Sequence, residues 1–184
     1  VLEPDERVGC ASTMLRDVCS EIDATDASPP VLSTDPIDSE GPVVVDDRPL
    51  TAAVNDRLDP PVAVVMADLA LATPDALSRL FGAEVEVVVA PGLGGGTNAL
   101  VVREPDFHTD YPGASVADHR RIASDVGVEA TAVDSFRLAV DIDEPEELAE
   151  LLLHGSGESV EWLRYAGFEI AHPAGRVPVR RHAR

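Results

Sequence analysis

The chain of 184 residues sets 34 acidic side chains against 14 basic ones, a formal net charge of −20, and every base is an arginine. That balance excludes a binder of bare nucleic acid or anionic membrane, which needs clustered bases to neutralise phosphate. The absence of lysine excludes Schiff-base and Walker-type lysine chemistry within these residues.

With 45% hydrophobic residues, the charge reads as a hydrated acidic surface over a folded core rather than as disorder. Such self-repulsion is tolerable in molar salt, where the Debye length is about 3 Å, and a halophilic protein is expected. From Asp5 to Ile22 the apolar positions Val8, Ala11, Leu15, Val18 and Ile22 step by three and four, the stripe of an amphipathic helix. Pro4 and two acids suit its start. A stretch rich in Asp, Ser, Thr and Pro follows, with short strands expected at Val31–Leu32 and Val43–Val45, then a helix carrying Leu50, Ala53, Val54 and Leu58.

The clearest strand is Val62–Ala67, a continuous apolar run of the kind covered on both faces in parallel sheets, ending in Asp68. Thr73-Pro74-Asp75 opens a helix to Phe81. Val85–Val89 and Asn98–Val102 read as strands, Ser115–Val126 as a helix, and Val128–Val133 as a strand. Leu138–Val140 reads as a further strand, running into Asp141-Ile142-Asp143-Glu144-Pro145, and helices are expected over Glu146–Leu153 and Glu158–Tyr165. Alternating strands and helices predict an α/β domain over residues 1–170 with a mainly parallel sheet, followed at 171–184 by an Arg-rich tail that is disordered or packed on a neighbour. No apolar run approaches the roughly 20 residues of a membrane span and no signal peptide is visible, so a cytoplasmic location is expected. Cys10 and Cys19 fit buried free thiols, and Trp162 fits core packing.

Chemistry in an open parallel sheet sits beyond the carboxyl ends of its strands. Asp68 stands at one such end, and Asp141 and Asp143 follow a second apolar run. A Mg²⁺ site and helix capping are both open readings of these carboxylates. The loop Pro91–Thr97 holds glycines at 92, 94, 95 and 96, and it reads either as an anion cradle or as a tight turn. Gly113-Ala114-Ser115, before a helix, is a second anion seat or a plain cap. The five histidines form no ligand pair, no GxSxG elbow exists, and Tyr111 reads as structural.

Taken together, Met66-Ala67-Asp68-Leu69, Gly95-Gly96-Thr97-Asn98-Ala99-Leu100, Tyr111-Pro112-Gly113-Ala114-Ser115 and Asp141-Ile142-Asp143-Glu144-Pro145 resemble the archaeal 2-phospho-L-lactate guanylyltransferase family in its halophilic branch. The resemblance spans Leu2 to Phe168 in order. It implies a Rossmann-like nucleotidyltransferase fold of GT-A type with a mainly parallel mixed sheet. The implied reaction joins GTP and 2-phospho-L-lactate, or a related acid such as phosphoenolpyruvate, in coenzyme F-420 biosynthesis. By matching positions, Asp68 and Asp141, with Asp143, would hold Mg²⁺. Thr97, Gly113 and Ser115, together with Gly95, Gly96 and Asn98, would seat the phosphorylated acid. Leu50 to Asn55 would lie near the nucleotide, with Thr51 where the family more often has asparagine. A homodimer is implied as well.

The family pattern opens with a strand and a basic loop that grips the GTP phosphates, and this sequence begins after that point. Two readings stay open, a sequence that is N-terminally incomplete or a copy that has lost this grip, and only the second expects a sheet without that N-terminal strand. Two rivals accompany the assignment: a molybdenum-cofactor-type guanylyltransferase, and a non-catalytic relative that binds phosphorylated acids.

Overall fold

The computed structural model describes residues 2–171 and 178–181. Helix α1 (Pro4–Asp23) starts on a proline and on a reciprocal cap in which the Glu3 backbone N–H donates to the Glu6 carboxylate at 2.9 Å. It buries Cys10, Met14, Val18 and Ile22, one residue per turn along a single face. Both cysteines are free, and burial pushes the Cys10 thiol up to about 11, which leaves it inert. Strands β1 (Val31–Ser33) and β2 (Val43–Val45) pair in parallel, Val31 opposite Val43, as a small sheet of their own. Helix α2 (Leu50–Asn55) leads to the principal sheet.

That sheet takes β3 (Val62–Val65), β4 (Val87–Pro91), β5 (Thr97–Val102) and β6 (Ala130–Ala132) in the order β3-β5-β4-β6. β5 is antiparallel to both β3 and β4, and β4 is parallel to β6. Three strands therefore run one way and β5 alone runs against them, which is a mixed sheet with a parallel majority of directions. Side chains alternate across it. Val88, Ala90, Ala99 and Val101 pack on one face with Val18 and Ile22 of α1 and with α3 (Pro74–Phe81). Val87, Val89, Leu100 and Val102 pack on the other face with Ile122 and Ala123 of α4 (Ser115–Asp125) and with Phe107.

Helix α3 is started by Thr73, whose hydroxyl accepts from the Ala76 N–H, and by Pro74 at its first position. A third apolar cluster joins Cys10 and Met14 of α1 to α6 (Leu148–His154), α7 (Glu158–Tyr165) and Phe168, with Trp162 packed at its margin. α7 receives its cap from another helix. Asp17 of α1 accepts from the Glu158 N–H at 2.8 Å and the Ser159 N–H at 2.9 Å, a contact worth about 1 kcal/mol.

Three expectations need correction. Leu138–Val140 is not a strand: α5 (Phe136–Ala139) is a single helical turn, and only Val140 is extended. Three apolar residues carry too short a pattern to separate the two states. The turn buries Leu138 completely while leaving Phe136 exposed. The run at 62–67 is not covered on both faces either, since Ala63 and Ala67 are exposed; β3 is also an edge strand, with only β5 beside it among the described residues. Finally, part of the arginine tail is ordered: β8 (Val179–Arg181) pairs antiparallel with β7 (Phe168–Ile170). There Arg180 and Arg181 are paired with Glu169 and Glu6, while Arg176 and Arg184 lie outside the described residues. No helix among the described residues is long and apolar enough to cross a membrane.

Candidate active site

Because β5 runs against its neighbours, its first residues lie at the same sheet end as the last residues of β3 and β4. Asp68, the glycine loop and Thr97 therefore share one rim. The Met66 N–H donates to the Asn98 carbonyl at 3.0 Å, carrying the β3–β5 ladder one step further toward Asp68. The Ile142 N–H donates to the Asp68 carbonyl at 3.1 Å, so Asp141 and Asp143 flank the backbone of Asp68. The helical turn of α5 is what delivers that segment to the rim.

Asp68 is half-buried, followed directly by the fully buried Leu69, and its Oδ1 is a buried acceptor with no hydrogen-bond partner. Burial raises its carboxyl above the ordinary range, and the charges of Asp141 and Asp143 push the same way. An ionised carboxylate held like this is costly unless a cation meets it. Among the described residues no group of three or more His, Cys, Asp or Glu side chains is gathered for a metal. The donors present suit an ion that takes one or two carboxylates and completes its shell with water and substrate phosphate. Mg²⁺ is such an ion. Asp143 is exposed, and its N–H and that of Glu144 donate to Glu147 at 3.0 and 2.8 Å, which closes the turn before α6.

Asn98 ties the two halves of the rim together. Its Nδ2 donates to the Leu138 carbonyl at 3.1 Å and to Asp141 Oδ1 at 3.2 Å, so its amide holds the carboxylate in place from a site only 5% exposed. Gly92 makes room for it, since a Cβ there would stand 2.5 Å from Asn98 Oδ1. The Gly92→Ala variant should therefore displace Asn98, move Asp141, lower turnover on the order of 10²-fold, and, by breaking the buried bonds of Asn98, lower the melting temperature by a few degrees. An unaltered rate would remove Asn98 from the support of Asp141.

The glycine loop folds back on itself through Gly92 N–H to Gly96 O at 2.8 Å and Gly95 N–H to Gly92 O at 3.1 Å, with Gly95 at φ +85°. It is fastened to the start of α4 by Val116 N–H to Gly95 O at 3.3 Å and by Thr97 N–H to Ser115 Oγ at 2.8 Å. Gly113, at φ +73°, turns the chain into that helix. Gly95, Gly96, Thr97, Gly113 and Ser115 are thus one neighbourhood beside Asp68 and Asp141.

Leu50 and Asn55 sit at the two ends of α2. Leu50 is exposed, whereas Asn55 clasps Thr109: its Nδ2 donates to the Thr109 carbonyl at 2.9 Å, and its Oδ1 accepts from the Thr109 N–H and hydroxyl. Thr51 Oγ1 accepts from the Tyr111 N–H at 3.0 Å. α2 therefore holds the loop that leads into Gly113.

In the sequence His119 is one of five scattered histidines with no motif around it. It lies one turn after Ser115 on α4 and is fully buried, with Nδ1 2.9 Å from Thr97 Oγ1. The signal available was the four-residue spacing from Ser115, which puts both on one helix face. Tyr111 stands edge-on to His119, 5.2 Å between ring centroids, and its hydroxyl is buried without a partner.

The sequence profile described as "Guanylyl transferase CofC like" matches residues 1–182. The chain is 59% identical over 180 residues to the 2-phospho-L-lactate guanylyltransferase of Natronomonas pharaonis, covering 98% of this chain and 90% of that protein. It is 58% identical over 184 residues to the protein of the same name from Halomicrobium mukohataei, covering 98% and 91%. The namesake from Methanoregula boonei is 42% identical over 186 residues, covering 98% and 87%. Among solved structures, a protein described as a nucleotide-diphospho-sugar transferase from Desulfovibrio desulfuricans G20 superposes with a TM-score of 0.67 at 12% identity, over 85% of this chain and 81% of that one. At that identity the likeness speaks for the fold alone.

Proposed function

The chain belongs to the family of CofC-like guanylyl transferases, and from that premise we propose that its substrates meet at the rim formed by Asp68, Asp141, the glycine loop and the start of α4. The enzyme is a nucleotidyltransferase that joins GTP to 2-phospho-L-lactate, a step of coenzyme F-420 biosynthesis. A phosphate oxygen of the acid attacks the α-phosphorus of GTP, the bond to the β-phosphate breaks, and pyrophosphate leaves as lactyl-2-diphospho-5′-guanosine forms.

The observation that carries this placement is the buried, unpartnered Oδ1 of Asp68 beside the Asp141 segment. Asp68 and Asp141 are the residues that would hold Mg²⁺, with Asp143 at the exposed margin. The ion when bound supplies positive charge between two phosphorylated substrates that otherwise repel each other. Asn98 keeps Asp141 aimed at that position. Thr97, Ser115 and the amides of Gly96 and Gly113 supply donors for the phosphate of the three-carbon acid, while Gly95, whose N–H closes the turn onto Gly92, shapes the loop around it. No general base is required, because the attacking phosphate is already anionic, and the protein's contribution is positioning and charge placement. α2, from Leu50 to Asn55, holds the 109–111 loop and with it the floor of the site. The homodimer implied by the resemblance, and the cytoplasmic location expected from the sequence, belong to the same proposal.

The Thr97→Val variant tests the seat. It removes one hydroxyl donor to an anion while preserving shape, and should raise KM for 2-phospho-L-lactate about tenfold while leaving that for GTP unchanged. An unchanged phospholactate KM would take Thr97 out of the substrate seat.

A further inference from the structure

We infer that His119 is a positioning residue that fixes the direction of the Thr97 hydroxyl, so that its proton points at the substrate phosphate. The inference rests on the reading that Thr97 contacts the phosphorylated acid. Two contacts set the ring. The Asp110 backbone N–H lies 3.1 Å from Nε2, and a backbone amide can only donate, so Nε2 carries the lone pair. In a neutral imidazole the single proton is then on Nδ1. It is donated to Thr97 Oγ1 at 2.9 Å.

The ring stays neutral because it is fully buried, edge-on to Tyr111 and tilted against Phe107. Burial pushes the imidazole down to about 4, against the pull of the Asp110 and Asp118 carboxylates and together with the push of His108. Thr97 Oγ1, itself in a side chain only 4% exposed, thus accepts from His119, and no acceptor among the described residues takes its own proton. Ser115 shows the same logic, since its Oγ accepts from the Thr97 N–H. Two hydroxyls on neighbouring elements are thereby turned into donors, the arrangement a phosphate dianion selects. Had the ring carried its proton on Nε2, Nδ1 would take the threonine proton and leave an oxygen lone pair facing the anion.

The decisive experiment pairs two variants with a direct reading of the tautomer. His119→Asn keeps a donor near the Nδ1 position, while His119→Gln reaches Asp110 but presents no donor to Thr97. His119→Gln should raise KM for 2-phospho-L-lactate about tenfold with KM for GTP unchanged, and His119→Asn should stay within about twofold of wild type. Combining His119→Gln with Thr97→Val should add nothing to the Thr97→Val effect. Nitrogen NMR of the ring in the full chain should show Nδ1 protonated and Nε2 bare, a reading that does not depend on either variant folding. Protonation at Nε2, or an unchanged phospholactate KM in a folded His119→Gln, overturns the inference. If Thr97→Val raises that KM and His119→Gln does not, the substrate seat stands and only the role of His119 falls. If Thr97→Val has no effect, both fall.

Discussion

Replacing Asp68 by asparagine is expected to cut turnover by at least about 10²–10³-fold, the loss that follows removal of one preorganised electrostatic contact to a phosphoryl transition state. The same change should not destabilise the protein. Asparagine matches aspartate in shape, removes the cost of burying a charge, and relieves the repulsion that Asp141 and Asp143 exert on Asp68. Melting in the absence of divalent ions should therefore be equal to or higher than that of the wild type. Added Mg²⁺ should raise the wild-type melting temperature through preferential binding to the folded state, and should leave Asp68→Asn unmoved. A residue that lowers stability while serving chemistry is the signature of a functional site rather than of a helix cap. A variant with near-full rate would remove Asp68 from the metal site, and a sharp fall in melting temperature would make it a structural carboxylate.

Dilution from molar salt to about 0.1 M should unfold the wild-type chain cooperatively, because the Debye length then grows from about 3 to about 10 Å. At a net charge of −20 most carboxylates have no basic partner to meet. The ion pairs that do form are largely exposed, such as Arg16–Glu158 and Arg121–Asp125, and contribute little individually. Repulsion across the surface then acts against a core built mainly of Val, Ala and Leu. Circular dichroism and melting followed across a salt series measure this directly. Melting that is unchanged at low salt would contradict the halophilic reading of the composition.

Helices with a long stripe and a chemical start were legible from sequence. α1 was expected from Asp5 to Ile22 and runs Pro4–Asp23, while α3 and α7 have the expected bounds. Their periodicity and proline or acid starts act locally, so local pattern suffices. The grouping of Asp68, Thr97, Ser115 and Asp141 followed from strand ends, motif order and resemblance. What was not legible depends on distant contacts. The segment of α5 reads as a strand in the sequence because the choice is settled by burial of Leu138 against the sheet, which three residues cannot announce. The exposure of Ala63 on β3 and of Ala67 just after it depends on which distant segments cover those faces. The His119 bond to Thr97, the Asn98 bond to Asp141 and the Asp17 cap on α7 join residues 22, 43 and 141 positions apart. Apart from the helical spacing of Ser115 and His119, none of these leaves a periodic trace, and each is a polar contact made only once distant elements have packed together.

The measurement that bears most directly on the central claim is pyrophosphate release in molar salt with Mg²⁺, GTP and 2-phospho-L-lactate. The arrangement of Asp68, Asp141, Thr97 and Ser115 predicts release that requires both substrates and is accompanied by lactyl-2-diphospho-5′-guanosine. No release, or release from GTP that is indifferent to phospholactate, would contradict it.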